Sequence, residues 1–510
     1  MLRANLATIP LLLTLSALVA CETATDDLES GFDGYSAGQD PDGYDNWWDD
    51  PANAPDVDRD FTEDGRVRTI PLGSNGVLST YHAIWKGEDG GDRAGIGVAA
   101  AGDVNGDGRG DLLVGSIGSG GDGITYMNRS PFGTGELNLG ASKGRYYGTT
   151  GANAGKAIAG GGDVDNNGQD DFIIGASKDA TAYTNAGAAY LVSNYTRGKN
   201  YLPTGATTLL GDGYYDYFGW AVDVASDLNG DGNSDLLVTA PYWDVSTASQ
   251  EGATFLFYGP LTADVTAADA NAYFVGEASN DLFGTRVLDV GDTDGDGNDD
   301  FMVSTRYEDS AGTNAGAVYL FTTWSDGENL ASSATAKITG EFDDDNAGNQ
   351  IAAAGDVNGD GFNDFLVGAL GNIGTGAAYL VLGPMSGTSS LSSAETYFTG
   401  QLSGDQFGSS MIAGDIDGDG TVDVVVGANR QGTDNRGAFY VFMNPGAGNI
   451  SAFNAEIKVI ATAADDYLGS WMDLALDTDF DGTDTLIVGA SGRGQGGLTE
   501  KGVAYLFEVP

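Results

Sequence analysis

From about residue 83 onward the chain alternates short apolar runs with polar, glycine-rich turns. Residues 274–321 show one full cycle. Phe274-Val-Gly276 reads as a short strand, and a polar turn follows it. Phe283-Gly284 then opens a second strand, which ends at an acidic loop, Asp292–Asp300. Phe301–Ser304 leaves that loop as a third strand, and Gly316–Phe321 forms a fourth after a variable stretch. Four short strands per unit, with glycine at the corners, predict a propeller blade. The other third-strand segments are continuous apolar runs, such as Asp111-Leu-Leu-Val-Gly and Asp423-Val-Val-Val-Gly-Ala. Such runs suit strands buried on both faces between neighbouring blades.

The acidic loop recurs seven times as D-x-[DN]-x-[DN]-G-x-x-D, opening at Asp103, Asp163, Asp227, Asp292, Asp356, Asp415 and Asp477. Its near-constant period makes the array one object rather than several domains. The last unit ends at Leu506-Phe507 with no outer strand after it, whereas an outer-strand segment, Ala83–Gly87, precedes the first unit. Pairing the two closes the ring and leaves no blade unfinished. The expectation is an all-β fold: a seven-bladed β-propeller of four-stranded blades over residues 66–510, closed by an N-terminal outer strand.

Alternating oxygen donors on a tight loop converge on a hard divalent cation, and calcium takes six to eight oxygens at flexible angles. Positions 1, 3, 5 and 9 give the side-chain sets Asp103/Asn105/Asp107/Asp111, Asp163/Asp165/Asn167/Asp171 and Asp227/Asn229/Asp231/Asp235. They continue as Asp292/Asp294/Asp296/Asp300, Asp356/Asn358/Asp360/Asp364 and Asp415/Asp417/Asp419/Asp423. The seventh loop keeps Asp477, Asp479 and Asp481, but Thr485 stands at position 9 and the acid falls on Asp484. Six calcium sites are therefore expected, with the seventh departing from the pattern. An EF-hand is excluded because position 12 is apolar (Val114, Ile174, Val303) and a strand follows. Calcium sites of extracellular modules bind at about 10⁻⁴–10⁻³ M. At tenfold excess each adds roughly 1.4 kcal/mol to folding, so the expected role is structural.

These units resemble FG-GAP repeats, the blades of the integrin alpha-chain propeller, over residues 83–510. The resemblance rests on Phe218-Gly219, Phe283-Gly284 and Phe407-Gly408, and on Gly-Ala pairs after the third strand. Other units carry Ala94-Gly95, Ala154-Gly155, Ala347-Gly348 and Leu468-Gly469, so glycine is the constant member. The resemblance implies ligand and subunit contact on the face opposite the metal loops. On that face aromatic residues are densest at Tyr214, Tyr215 and Tyr217 and at Tyr242 and Trp243, with Tyr183 and Tyr146-Tyr147 nearby. Exposed tyrosine and tryptophan beside aspartate suit a sugar or protein surface. The alternative is that these rings pack the loops together.

Composition narrows the partners. With 74 acidic against 22 basic residues the net charge is −52, which opposes nucleic acid and anionic membranes. High acidity also serves solubility. One cysteine excludes an intrachain disulfide, and the single histidine, His82, lies in no motif. Residues 1–20 read as a signal peptide: a short basic start, a 15-residue apolar run from Leu6 to Ala20, then Leu18-Val-Ala-Cys21. That ending resembles the lipobox of bacterial lipoproteins, which implies acylation of Cys21 and a lipid-anchored, extracytoplasmic protein facing periplasm or exterior. Residues 21–65 are acidic and aperiodic and read as a disordered tether, with Trp47-Trp48 its only aromatic pair of note. Two functions remain open. One is a calcium-stabilised binding or adhesion protein for extracellular protein or glycan, without catalysis. The other is a propeller enzyme acting on extracellular polysaccharide through Asp/Glu and Tyr.

Overall fold

The computed structural model describes residues 68–71, 81–118, 121–244, 250–461, 463–475, 484–492 and 501–507. The strands assemble into seven separate sheets, one per acidic-loop unit, so the fold is the expected all-β seven-bladed propeller. Numbered along the chain, the blades begin with inner strands Gly97–Gly102, Ala157–Gly162, Val222–Ala225, Arg286–Gly291, Ala347–Gly355, Phe407–Gly414 and Leu468–Ala475. In blade 4 the inner strand runs antiparallel to Asp300–Thr305, which pairs with Ala317–Phe321 and then Ala336–Thr339. The acidic loops join inner to second strands and so share one face of the ring. The second-to-third connections and the crossings to the next blade share the other.

The second strands are buried along their whole length in every blade, for example Asp111–Ser116, Asp300–Thr305 and Thr485–Ala490. Their uninterrupted apolar character follows from that position, since blades cover them on both faces. Burying each Val, Leu, Ile or Phe there contributes about 1.5–3 kcal/mol. One continuous apolar cluster runs from Ala157 in blade 2 to Tyr379 in blade 5.

Closure occurs where the sequence places it. Ala83, Ile84, Trp85 and Lys86 pair antiparallel with Leu506, Tyr505, Ala504 and Val503 as the outer strand of blade 7. His82 sits at the bulge between Tyr81 and Ala83 in that strand. Each sheet also carries a fifth strand beyond the expected four. It is short, parallel, and borrowed from the following unit: Gly387–Ser390, between the third and fourth strands of blade 5, pairs with Ala336–Thr339 of blade 4. Blade 6 receives Arg68–Pro71 in the same role. The N-terminal segment thus completes two blades.

The constant glycine has a steric cause. In all seven blades it adopts positive φ, from +79° at Gly219 to +93° at Gly284. A Cβ at Gly219 would lie 2.2 Å from the Ala188 carbonyl oxygen, and one at Gly408 2.4 Å from that of Ala377. No L side chain fits there. The preceding residue is buried whether it is Phe218, Ala94 or Leu468, so its size is set by local packing alone.

Candidate metal centres and the opposite face

Each of the six described acidic loops is held by its own first and last carboxylates. Asp163 accepts the backbone N–H of Asn167 (2.9 Å) and of Gly168 (2.7 Å). The bond from the position-6 glycine recurs from Gly108 to Asp103, Gly232 to Asp227, Gly297 to Asp292, Gly361 to Asp356 and Gly420 to Asp415. The position-9 aspartate opens the buried second strand, and in loops 2 to 6 its Oδ2 accepts the N–H of position 2. Examples are Val164 to Asp171 (2.8 Å), Thr293 to Asp300 (2.8 Å) and Ile416 to Asp423 (3.1 Å). The loop therefore curls around a point on which positions 1, 3 and 9 converge.

In three loops that convergence is tight enough for a metal ion. Asp163/Asp165/Asp171, Asp292/Asp294/Asp300 and Asp415/Asp417/Asp423 each bring carboxylate oxygens within 4.8 Å of one another. The same three loops hold a buried carboxylate oxygen that accepts no hydrogen bond: Oδ1 of Asp171, of Asp300 and of Asp415. A buried, unsatisfied anionic oxygen is costly, and a coordinated cation removes the cost. Burial, reinforced by Asp165, pushes the Asp171 carboxyl up to about 8. Burial likewise raises Asp300 to about 7, with Asp294 and Asp292 adding to it. The donors are hard oxygens in a backbone-fixed ring, and they fit calcium.

Position 5, expected as a fourth side-chain donor, stands apart from these clusters. Asp231, Asp296, Asp360 and Asp419 are all exposed. Each turns its Oδ1 to the backbone N–H two residues on: Asn233 donates to Asp231 (3.0 Å), Asn298 to Asp296 (2.8 Å), Phe362 to Asp360 (3.1 Å) and Thr421 to Asp419 (2.8 Å). Asn167 accepts from Gln169 in the same way at 2.9 Å. The tight turn at the position-6 glycine leaves that N–H without a ladder partner, and a short Asp or Asn side chain closes on it. In this structure positions 1, 3 and 9 converge in loops 2, 4 and 6, while position 5 caps a turn through Oδ1.

Loops 1, 3 and 5 differ further, because position 3 is asparagine. Asn229 Nδ2 lies 3.5 Å from Asp235 Oδ1. Asn358 donates Nδ2 to Asp360 Oδ2 (2.9 Å), while its Oδ1 accepts the N–H of Asp360 (2.8 Å). An amide supplies N–H donors that a carboxylate cannot, so these side chains face neighbouring acids as hydrogen-bond donors. Oδ1 of the position-9 aspartate is also satisfied here by a backbone N–H: Ser130 to Asp111, Gly259 to Asp235 and Gly383 to Asp364, at 2.8–2.9 Å. In loop 1 a protein cation enters as well. Arg129 Nη2 donates to Asn105 Oδ1 and to Asp107 Oδ2 (3.1 Å), while Asn105 Nδ2 turns to Asp111 (2.8 Å). Arg129 follows the third strand of blade 1 and is a contact that the loop motif gives no sign of.

Neighbouring loops are tied across the blade boundary. The N–H of Asn363 donates to the carbonyl of Asp292 (2.9 Å), and that of Ser234 to the carbonyl of Asp163 (3.3 Å). Asp170 Oδ2 accepts the N–H of Asp103 (2.7 Å). Ordering one loop thus bears on the next blade.

On the opposite face the five aromatic residues separate into two sets. Tyr214 and Tyr215 are exposed at 65% and 53%, and Tyr214 meets Tyr183 at 4.8 Å between ring centroids. Tyr217, Tyr242 and Trp243 are partly buried instead: Tyr217 and Tyr242 meet at 5.1 Å, and Trp243 packs edge-on against Phe255 and Tyr273. Beneath them lies Asp216, whose carboxyl is pushed up to about 7 by burial and by Asp212 and Asp244. A second exposed group, Phe342, Ile373 and Leu402, occupies the same face in blades 5 and 6. Its only sequence signal is large apolar residues inside otherwise polar turns. Cys21, the signal and tether segments, Trp47-Trp48 and the loop residues Asp477, Asp479 and Asp481 lie outside the described residues.

Comparison with known proteins agrees with this architecture. The FG-GAP repeat family matches residues 218–257 and 285–321, and the FG-GAP-like repeat family matches 356–426. Human (Homo sapiens) integrin alpha-IIb is 33% identical over 168 residues, which is 32% of this chain and 16% of the integrin. Integrin alpha-PS5 of Drosophila melanogaster is 31% identical over 160 residues, 31% of this chain and 15% of that protein. The chain therefore matches about a sixth of the length of these relatives. AofleA from Arthrobotrys oligospora, a solved structure, aligns over 78% of this chain and 99% of its own at 11% identity and a TM-score of 0.35. A likeness at that level bears on neither fold nor function. The chain carries FG-GAP repeats homologous to those of integrin alpha chains.

Proposed function

We propose that this protein is a calcium-stabilised binding module, presented outside the cell by a lipid anchor at Cys21 and held off the membrane by residues 21–65. The observation that carries the metal half is the coincidence, in loops 2, 4 and 6, of clustered carboxylates with a buried oxygen lacking a partner. The donors are Asp163, Asp165 and Asp171 and their counterparts. Loops 3 and 5 would offer Asn229 and Asn358 in place of the position-3 aspartate once those amides turn their oxygens inward. The seventh loop would offer Asp477, Asp479 and Asp481. The metal fixes loops that bond to one another, so its function is to hold the ring. The opposite face then presents Tyr214 and Tyr215, rigid amphipathic rings suited to protein or glycan. No helix among the described residues is long and apolar enough to cross a membrane. Attachment in this reading rests on the N-terminal lipid.

One observation favours a second reading. Asp216 is a buried carboxyl raised to about 7, beside two other acids and next to exposed tyrosines, a feature shared with the general acid of polysaccharide-cleaving sites. A single experiment separates the readings. The protein and its Tyr214→Ala/Tyr215→Ala and Asp216→Asn variants are applied to glycan and extracellular-protein arrays, and bound polysaccharides are assayed for cleavage. Capture lost with the tyrosines and no product is the expected result. Product that disappears in Asp216→Asn would replace binding by catalysis.

A further inference from the structure

Six of the seven blades repeat a second polar arrangement, on the face away from the metal loops. A tyrosine of the third strand pairs across to one residue of the outer strand: Tyr126 with Arg145, Tyr190 with Thr208, Tyr319 with Lys337, Tyr379 with Tyr397, Tyr440 with Lys458 and Tyr505 with Ile84. Blade 3 has Phe255 opposite Tyr273. Just beyond the preceding outer strand, the same turn position holds Glu277 for Tyr319, Glu341 for Tyr379 and Gln401 for Tyr440.

Blades 4 and 6 fill the space between these groups with their own ammonium. Lys337 Nζ lies 5.1 Å from the Tyr319 ring centre, 2.7 Å from Glu277 and 2.9 Å from Glu308, and the Tyr319 hydroxyl donates to Glu277 at 3.1 Å. Lys458 Nζ lies 5.0 Å from the Tyr440 ring centre and 2.5 Å from Gln401 Oε1. Blade 3 lacks the lysine, and there Trp243 packs against both Phe255 and Tyr273. Blade 5 has neither filler. Its acid and tyrosine are in place, the Tyr379 hydroxyl donating to Glu341 at 2.7 Å. Tyr397, which stands where the lysines stand, stacks on Tyr379 at 5.6 Å and accepts from Asn449 at the far side. Its second-to-third-strand loop is short, with Gly371 and Asn372 where blade 3 has Tyr242 and Trp243, and Ile373 follows them. A cavity of about 230 Å³ remains, lined by Glu341, Tyr379, Tyr397, Phe342 and Ile373 among others. Among the described residues no cation pairs with Glu341.

We propose that this blade 5 cavity binds a primary ammonium on an aliphatic stem, the group that Lys337 and Lys458 supply internally in blades 4 and 6. Glu341 accepts the ammonium N–H groups, the faces of Tyr379 and Tyr397 attract its charge, and Phe342 and Ile373 cover the methylenes. Such a group arrives either as a free alkylamine or as a lysine side chain of another protein. The site is separate from the metal loops and from the Tyr214/Tyr215 surface, so it stands or falls independently of the function proposed above.

The test is calorimetric titration of the full-length protein, in calcium and constant ionic strength, with n-butylammonium chloride, with 1-butanol and with the blocked tripeptide acetyl-Gly-Lys-Gly-amide. The expected result is saturable binding of n-butylammonium and none of 1-butanol. Binding should be lost in Tyr397→Lys, which gives blade 5 the residue of its sister blades, and weakened roughly tenfold in Glu341→Gln, where a charge-assisted bond becomes a neutral one. Glu395→Gln removes one exposed acid elsewhere in blade 5 and should leave it unchanged. Tripeptide binding at least as tight as butylammonium assigns the site to a protein lysine, and butylammonium binding alone assigns it to a free amine. Thermal unfolding verifies that each variant is folded, and Glu341→Gln carries the test should Tyr397→Lys fail to fold. Equal heats in wild type, Glu341→Gln and Glu395→Gln would reduce the effect to general attraction by an acidic surface and overturn the assignment.

Discussion

Asp473, in the inner strand of blade 7, accepts the backbone N–H of Ala100 in blade 1 at 2.8 Å, directly across the seam where the ring closes. The same carboxylate accepts the N–H of Leu474 at 2.9 Å. Burial outweighs these bonds and pushes its carboxyl up to about 7. The unfolded value is about 3.9, so the folded state holds the proton more tightly. Stability from this group is therefore complete below about pH 4 and is lost as pH rises through about 7, by up to about 4 kcal/mol. Asp473→Asn keeps an acceptor and removes the titration. Melting temperatures of wild type and variant in equal calcium should diverge in the variant's favour between pH 5 and 8. Parallel curves over that range would show that the seam carboxyl does not titrate as described.

Much of the ring was legible in the sequence because its determinants are local. Apolar runs such as Asp364–Ala369 mark strands covered on both sides, and each FG-type glycine marks a positive φ. The closing strand at Ala83–Lys86 could be found because the final unit lacked one. The fifth strands were not legible. Gly135–Asn138, Gly198–Tyr201 and Gly327–Leu330 alternate between partly buried and exposed positions without an apolar period, since a parallel edge strand is held by backbone bonds. The metal motif located the six described loops, but not the intrusion of Arg129 from beyond the third strand. Nor does a spacing of alternate oxygens show which of them a turn will claim, as it claims Asp296 and Asp360 for the N–H groups of Asn298 and Phe362. Aromatic density likewise did not distinguish Tyr214, which reaches solvent, from Trp243, which packs on Phe255.

The seven positive-φ glycines make a sharp stability prediction. Gly219→Ala must either strain the backbone or displace the Ala188 carbonyl, and left-handed geometry alone costs about 1–2 kcal/mol for alanine. A total loss on the order of 3 kcal/mol is expected. Gly446→Ala serves as the control, since nothing lies within 4 Å of its added Cβ. It should be neutral or stabilise slightly. Chemical denaturation of the two variants, run side by side, provides the measurement. Equal midpoints would remove the steric explanation for the constant glycine.

Lys458 tests the ammonium arrangement from within. Burial holds its ammonium down at about 8, against an ordinary value near 10.4, and the charge of Asp405 offsets only part of that. A depressed lysine contributes stability only above its unfolded value and loses it as pH falls through about 8. At pH 7 the buried charge is therefore a burden of up to about 3 kcal/mol. Lys337, between Glu277 and Glu308, is instead held above its ordinary range. Gln401→Glu should give Lys458 the blade 4 partner and raise stability at pH 7 by roughly 1–2 kcal/mol. The gain should vanish above about pH 10.5, where the lysine is neutral. A variant no more stable than wild type at pH 7 contradicts the pairing.

Loop 1 separates a carboxylate cluster from a metal site. Arg129 places a guanidinium on Asn105 and Asp107, two of the four side-chain donors there, and its ring contact with Tyr195 at 5.8 Å helps hold it in that place. An incoming calcium ion would have to displace a charge that is already neutralising the loop. Among the described residues no ion pair reaches the carboxylates of loops 2, 4 and 6, and each keeps a carboxylate oxygen without a hydrogen bond. Loop 1 is thus expected to stay closed without metal, while the others depend on it. Native mass spectrometry at fixed free calcium reads this directly. Asp300→Asn should lower the number of bound calcium ions by one. Arg129→Met, which keeps the stem but frees Asn105 and Asp107, should raise it by one. Calcium should then protect Arg129→Met against thermal unfolding more than it protects the wild type, by roughly 1.4 kcal/mol at tenfold excess over the site's dissociation constant. An unchanged count in Arg129→Met would mean that the guanidinium does not stand in for the ion and that loop 1 binds metal, or fails to, for another reason.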